Sequence, residues 1–207
     1  MIRTSKLAES VKPSATLAAG AKAKQMKAAG VNVFDFSLGE PDFDTPKHIQ
    51  AAAVEAMNKG HTHYTPAGGT AELKAAIAKW YGRTYGLEAK AENVIVSNGA
   101  KHSIHTALAA TVGSGDDVII PTPYWVSYSD LVSMTGANAV LVNATMESGF
   151  KMTPAQLKAA ITPATRLLML NSPNNPTGTV YTRAELEALA DVFLANTDGT
   201  ILSDEIY

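Results

Sequence analysis

The chain has 207 residues, 46% of them hydrophobic and 17% charged, a globular balance that can fill one large core or two small ones. A net charge of -2 without any block of like charge argues against a nucleic-acid or anionic-membrane partner, and no apolar run reaches the roughly 18 residues of a spanning helix. The lack of cysteine excludes disulfides, thiolate catalysis and zinc-thiolate sites; the opening MIRTSKLAESVKPSAT lacks the apolar stretch of a signal peptide, so a soluble, cytoplasmic protein is expected.

Taken in chain order, residues 1–45 read as an arm and a loop, the helix-like ATLAAGAKAKQMKAAG followed by VFDFSLGEPDFDTP with its many turn formers. Residues 46–207 read as one large domain. Thr45 and Pro46 are expected to cap and start a helix with the stripe Ile49, Ala52, Ala53, Ala56 and Met57, ended by Gly60. Leu73, Ala76, Ile77, Trp80 and Tyr81 repeat that spacing in a second helix. Strand-like and helical segments then alternate: VIVS, a helix from about Ala100, DVIIP, a helix near SYSDLVSM, AVLVNA, a helix after Thr153 and Pro154, and RLLML. A last helix opens on a capping box, Thr182 to Glu185, with the stripe Leu186, Leu189, Ala190, Phe193 and Leu194, before TILS closes the series as a strand.

Several of these strands are apolar throughout, the pattern of burial on both faces. The expected class is therefore α/β, a mostly parallel sheet with helices on both faces, whose ligands sit beyond the carboxyl ends of the strands near a topological switch point.

The strand ends carry the chemistry. After VIVS come Asn98, Gly99, Ala100 and Lys101 at a helix start, where backbone amides and the helix dipole favour an anion; an ordinary strand-to-helix turn is the alternative. The stretch has no Walker spacing, and the chain contains no GxGxxG and no GxSxG. Tyr124 and Trp125 follow DVIIP, placed either to stack on a flat ligand or to pack on a neighbouring loop. NSPNNPTG follows RLLML as a rigid loop presenting Asn171, Asn174 and Asn175. Asp204 and Glu205 follow TILS, with Tyr207 three residues after Asp204, at what reads as the tip of a central strand. An acid there is costly to bury without a cation or donors. A protonated heterocycle nitrogen, as in pyridoxal phosphate chemistry, would supply the cation, and a surface salt bridge is the alternative. His61, His63, His102 and His105 lack a third ligand cluster, so no metal site is expected.

In this order and at these separations, SLGEPDFDTP, YTPAGG, VSNGAKHS, PYWVSY, NSPNNPTG and SDEIY resemble the class I pyridoxal phosphate aminotransferases of fold type I, over essentially the whole chain. VKPSAT and PYWVSY are most similar to the bacterial aspartate aminotransferase branch, some members of which also use prephenate. The resemblance implies that the backbone of Gly99, Ala100 and Lys101 holds the cofactor phosphate and that Trp125 stacks on the pyridine ring. It implies that Asn175 donates to the ring 3-hydroxyl oxygen and orients substrate, that Asp204 pairs with the ring nitrogen, and that Tyr207 also reaches the 3-hydroxyl oxygen. Gly39 would offer its backbone to the substrate carboxylate, and Lys12 stands where prephenate-using members recognise that acid. The partner subunit's Tyr64 would reach the phosphate, which implies a homodimer with shared active sites.

The family's Schiff-base lysine is expected beyond Tyr207, and its substrate-carboxylate arginine further on. The resemblance therefore implies an incomplete large domain, the amino-terminal part of a transaminase acting on aspartate or a related amino acid and a 2-oxo acid, inactive on its own. SNGAKHS stands where many aspartate enzymes have a second glycine, which leaves substrate preference open. A pyridoxal phosphate lyase of the carbon-sulfur type and a non-catalytic cofactor-binding fragment are the alternatives.

Overall fold

The computed structural model describes residues 3–11, 15–37 and 39–207. Its helices are α1 (Lys6–Ser10), α2 (Ala15–Ala28), α3 (Lys47–Asn58), α4 (Ala71–Tyr85), α5 (Ala100–Thr111), α6 (Ser127–Met134), α7 (Pro154–Ala160) and α8 (Arg183–Asn196). Its strands are β1 (Asp117–Thr122), β2 (Asn138–Asn143), β3 (Thr165–Asn171) and β4 (Thr200–Asp204). Contacts gather the chain into two compact units, Thr16–Ser97 and Met1–Ala15 together with Asn98–Tyr207. Among the described residues no helix is long and apolar enough to cross a membrane.

Thr16–Ser97 is helical, and Ala23 and Ala78 are its buried apolar residues among those described. In α4 the Thr70 hydroxyl accepts the Leu73 N–H at 3.3 Å, and Gly86 closes the helix in a left-handed conformation. Three expectations need correction here. Pro46 is the residue flanking α3 rather than its first helical residue, and Thr45 offers only its carbonyl, which accepts the Gln50 side-chain amide. The inward face of α4 centres on Ala78; Leu73 and Trp80 are exposed, with Trp80 lying edge-on to Tyr81 and Tyr85 instead of filling a core. Finally, VIVS (94–97) is not a strand. Its backbone bond from Val96 N–H to Gly68 O, at 3.0 Å, is an isolated one, and Ile95 is 68% exposed. An apolar, β-branched run makes the extended conformation favourable, but a strand exists only where a ladder pairs it.

The other unit is built on four parallel strands in the order β2-β1-β3-β4. Alternate residues point to opposite faces, so the inner strands feed two cores. Val118, Ile120, Leu167 and Met169 pack with Ile104 and Leu108 of α5 and with Tyr128, Leu131 and Val132 of α6. Ile119, Leu168 and Leu170 pack with Leu157 of α7 and with Leu189 and Phe193 of α8. Each such fully buried side chain stabilises the fold by about 1.5–3 kcal/mol.

The handedness of parallel crossovers explains the division. The α6 connection steps from β1 outward to β2, whereas α7 and α8 carry the chain the other way, to β3 and then β4; a right-handed connection must change face when it changes direction. The reversal makes a switch point between β1 and β3. The α/β class, the parallel sheet and the helices on both faces are as expected from the sequence. β4 is the outermost of the four described strands, and its Ile201 and Leu202 are half-buried.

Helix starts in this unit are strongly specified. Thr153 with Gln156, and Thr182 with Glu185, form reciprocal capping boxes, the second as read from the sequence. The stripe of α8 buries Leu189 and Phe193 completely, but Leu194 falls outside it and is 60% exposed.

Candidate functional site

The carboxyl ends of β1, β3 and β4 lie around the switch point, and a continuous chain of contacts links the side chains there. Asp204, the last residue of β4, is 7% exposed. Its Oδ2 accepts the Tyr128 hydroxyl at 2.6 Å and its Oδ1 accepts the Ile206 N–H at 3.2 Å. Both donors are neutral, and among the described residues Asp204 takes part in no salt bridge. Burial, then the hydrogen bond to Asp204 and its charge, push the Tyr128 hydroxyl far above the ordinary tyrosine range, so it stays protonated as a donor.

The loop after β3 is tied to the same point. Asn171 is buried; its Nδ2 donates to Asp204 O at 2.9 Å and its Oδ1 accepts the Asn175 N–H at 2.7 Å. Asn175 Nδ2 in turn donates to the Tyr207 hydroxyl at 2.9 Å. Asn174 folds the loop on itself, its Oδ1 accepting the Thr177 N–H and hydroxyl, and its Nδ2 reaches Pro123 O at 3.4 Å.

Trp125 lies edge-on to Tyr128, with centroids 5.5 Å apart and planes at 85°, while Tyr124 stacks on the same tyrosine and donates its hydroxyl to Ser129. The ammonium of Lys101 sits 4.8 Å from the centre of the Trp125 ring. Lys101 is exposed, so this cation–π contact contributes only about 0.5–1 kcal/mol and yields easily to a ligand. Gly99 flanks the start of α5 with φ 82° and ψ 165°, and no side chain caps the helix. The first intrahelical donor is His102 N–H, to Gly99 O; the amides before it lead out of the helix end, and Asn98 N–H is taken by His102 Nδ1 at 3.2 Å.

Lys101, Trp125, Asn175, Asp204 and Tyr207, expected at the site, therefore belong to one contact network, with Gly99 and Ala100 at the helix start beside Lys101. Gly39 and Tyr64 belong to the other unit, where Tyr64 is fully exposed and Gly39 has open space at its Cα. Lys12 lies outside the described residues. Among the described residues no group of three or more His, Asp and Glu side chains is placed to hold a metal ion.

One residue of the network, Tyr128, carries no role in the sequence reading, and another, Asn171, has a different one from the role expected. Tyr128 stands inside PYWVSY, where only the pair Tyr124 and Trp125 is singled out from the sequence; the available signal is the need of a buried Asp204 for donors. The sequence reading has the loop present Asn171 outward, whereas its amide is turned inward and both ends are used.

This fold, with its acid, asparagine and aromatic at or just past the ends of parallel strands and its glycine at the start of α5, is that of a known enzyme class. The chain belongs to the aminotransferase class I and II family, whose model matches residues 31–207 and whose members use pyridoxal phosphate. It is 50% identical over 206 residues to the aspartate aminotransferase of Geobacillus stearothermophilus, covering 100% of this chain and 52% of that protein. It is 50% identical over 197 residues to the aspartate/prephenate aminotransferase of Cereibacter sphaeroides, covering 95% of this chain and 49% of that one. The solved aspartate aminotransferase from Thermus thermophilus with maleate superposes with a TM-score of 0.95 at 42% identity, over 100% of this chain and 54% of that one. The chain thus spans about half the length of the curated relatives it matches.

Proposed function

We propose that this chain is the cofactor-holding part of an aminotransferase that binds pyridoxal phosphate and moves the amino group of aspartate or a related amino acid to a 2-oxo acid, 2-oxoglutarate being the acceptor and prephenate the further candidate. The observation that carries the reading is the buried Asp204 carboxylate, which meets neutral donors alone while Trp125, Asn175 and Tyr207 are linked to it. Relatives named aspartate and aspartate/prephenate aminotransferases support the substrate class.

The donor set suits the cofactor. A buried carboxylate whose hydrogen bonds come from neutral groups retains its full charge for a cationic ring N–H, and the ion pair holds that proton on the ring. The amides at the start of α5 suit a phosphate dianion, and the glycine preceding them leaves the approach open. Trp125 offers a flat face once Lys101 is displaced. Asn175 and Tyr207 offer donors to a phenolic oxygen, Asn175 Nδ2 through its second hydrogen and Tyr207 through its hydroxyl. When bound, pyridoxal phosphate supplies a sink for the electron pair released as the substrate's Cα–H bond breaks. Asp204 enhances that sink by keeping positive charge where electrons arrive, Tyr128 holds the carboxylate in place, and Asn175 with Tyr207 fixes the ring plane.

On this reading residues 1–45 are the arm and substrate loop and 46–207 the cofactor-binding large domain of a cytoplasmic homodimer. Gly39 offers its backbone to the substrate carboxylate, Lys12 holds the sequence position associated with prephenate use, and the partner subunit's Tyr64 reaches the phosphate. The lysine that moves the proton belongs to the remainder of the protein, so the 207-residue chain binds cofactor without turnover.

The test uses the full-length product of the reading frame that encodes this chain, loaded with pyridoxal phosphate. Aspartate alone should convert the visible absorption to a near-ultraviolet form, and 2-oxoglutarate should restore it. Absence of any change overturns the transaminase reading; ammonia released without an acceptor indicates the carbon-sulfur lyase type instead.

A further inference from the structure

Among the described residues of β3 and β4, Asn171↔Asp204 is the last register pair. Past it the two chains leave the ladder, one into a loop whose Pro173 and Pro176 have no N–H to donate, the other toward Tyr207. The Asn171 side chain takes over where the ladder stops. One end of its amide holds the backbone of the β4 tip and the other holds the backbone of Asn175, at 2.9 and 2.7 Å.

We infer that Asn171 is a positioning residue, fixing the Asn175–Tyr207 pair and the Asp204 carboxylate at the one separation that lets both meet a single flat ligand. The inference rests on the pyridoxal phosphate reading for the ligand, but its geometry stands on this chain alone. The amide works in one orientation only: Asp204 O needs a donor and Asn175 N–H needs an acceptor, so a flipped amide would face both with the wrong group. The residue is 6% exposed and lies behind the groups that would touch ligand, so it acts through them. Two further ties leave this loop: Asn175 Nδ2 to the Tyr207 hydroxyl at 2.9 Å, an exposed bond, and Asn174 Nδ2 to Pro123 O, longer at 3.4 Å and directed to the turn after β1.

Two variants separate the two ends of the amide. Asn171→Ala removes both bonds; Asn171→Asp, when ionised, keeps the acceptor for Asn175 N–H and loses the donor to Asp204 O. In the ligand-free full-length product, hydrogen exchange should show the Asn175 amide exchanging about tenfold faster or more in Asn171→Ala, relative to amides of β1, and near the wild-type rate in Asn171→Asp. The Ile206 amide, which donates to Asp204 Oδ1, should speed up in both. Unchanged exchange at Asn175 and Ile206 in Asn171→Ala overturns the inference.

In the full-length product, Asn171→Ala should bind pyridoxal phosphate on the order of tenfold more weakly and shift the absorption maximum of what remains bound. Phe193→Ala, a core variant remote in role from these loops, should lose stability and leave that maximum in place. Wild-type binding with an unaltered affinity and maximum in Asn171→Ala overturns the positioning role. Failure of the wild type to bind overturns the cofactor reading instead, and the ligand-free exchange still decides whether Asn171 joins the two loops.

Discussion

The Tyr128 hydroxyl stands 2.6 Å from Asp204 Oδ2, a buried hydrogen bond between residues 76 apart that joins α6 to the tip of β4. Because the acceptor is a carboxylate, the bond is of the charge-assisted kind. Tyr128→Phe keeps the ring contacts with Trp125 and Tyr124 and removes only the donor. The expected loss is about 1.5–3 kcal/mol in urea unfolding, with Tm lower by several degrees. The tyrosine also gives a signature at high pH. Its folded pKa is raised above the ordinary 10.0, so its contribution is complete below that value and is lost as pH rises past it, where the unfolded chain ionises and the folded chain resists. Tyr128→Phe should flatten the alkaline limb of the stability profile.

Gly99 adopts φ 82° and ψ 165°, a region that side-chain-bearing residues hardly visit, with no atom within 4 Å of a would-be Cβ. Gly99→Ala therefore meets conformational strain without a clash. The expected cost is about 1–3 kcal/mol by chemical denaturation. Should the helix start rearrange to relieve it, pyridoxal phosphate affinity should fall more than stability does, which isothermal titration would register.

Gly199 is constrained differently. A Cβ there would lie 2.6 Å from Arg166 O and 2.8 Å from Phe193 Cζ, where β4 enters beside β3 over the end of α8. Neither neighbour is a flexible tip. Gly199→Ala should destabilise by about 1–3 kcal/mol, and its effect should shrink in combination with Phe193→Leu, a coupling that a double-mutant cycle measures.

Glu185 closes the capping box of α8 and also receives Lys151, 2.5 Å away. The Lys151 hydrogen bond first, then the Thr182 N–H and hydroxyl, lower its pKa from 4.5 to about 2. A depressed carboxylate contributes stability that is present above its unfolded value and lost as pH falls toward the folded one, so the window runs from about pH 4.5 down to about 2. Lys151→Met should reduce the slope of the urea midpoint across that window, and Glu185→Gln should remove this residue's share altogether.

Local signals carried much of the fold. The helix expected near SYSDLVSM is α6, and the Thr182–Glu185 box started α8 where the sequence placed it. Capping and periodicity are properties of neighbouring residues and survive without knowledge of the rest of the chain. VIVS misled for the opposite reason: hydrophobicity and β-branching describe what a strand tolerates, and pairing comes from elsewhere. Leu73 and Trp80 likewise kept helical spacing but not burial, because a stripe states which face is apolar and not what covers it.

At the site, residue types were readable, since asparagine, aspartate and an aromatic pair after strands, and a glycine at a helix start, each have a limited repertoire. The sequence by itself determined the α/β class, the main helix starts of the Asn98–Tyr207 unit and the segments that carry chemistry. Only the tertiary structure decided that β4 pairs with β3, that the side-chain donor to Asp204 is Tyr128, and that Asn171 joins the loops of Asn175 and Asp204. The physical reason is separation along the chain: strand order and buried hydrogen bonds are set by long-range closure, whose partners leave no mark on the local pattern.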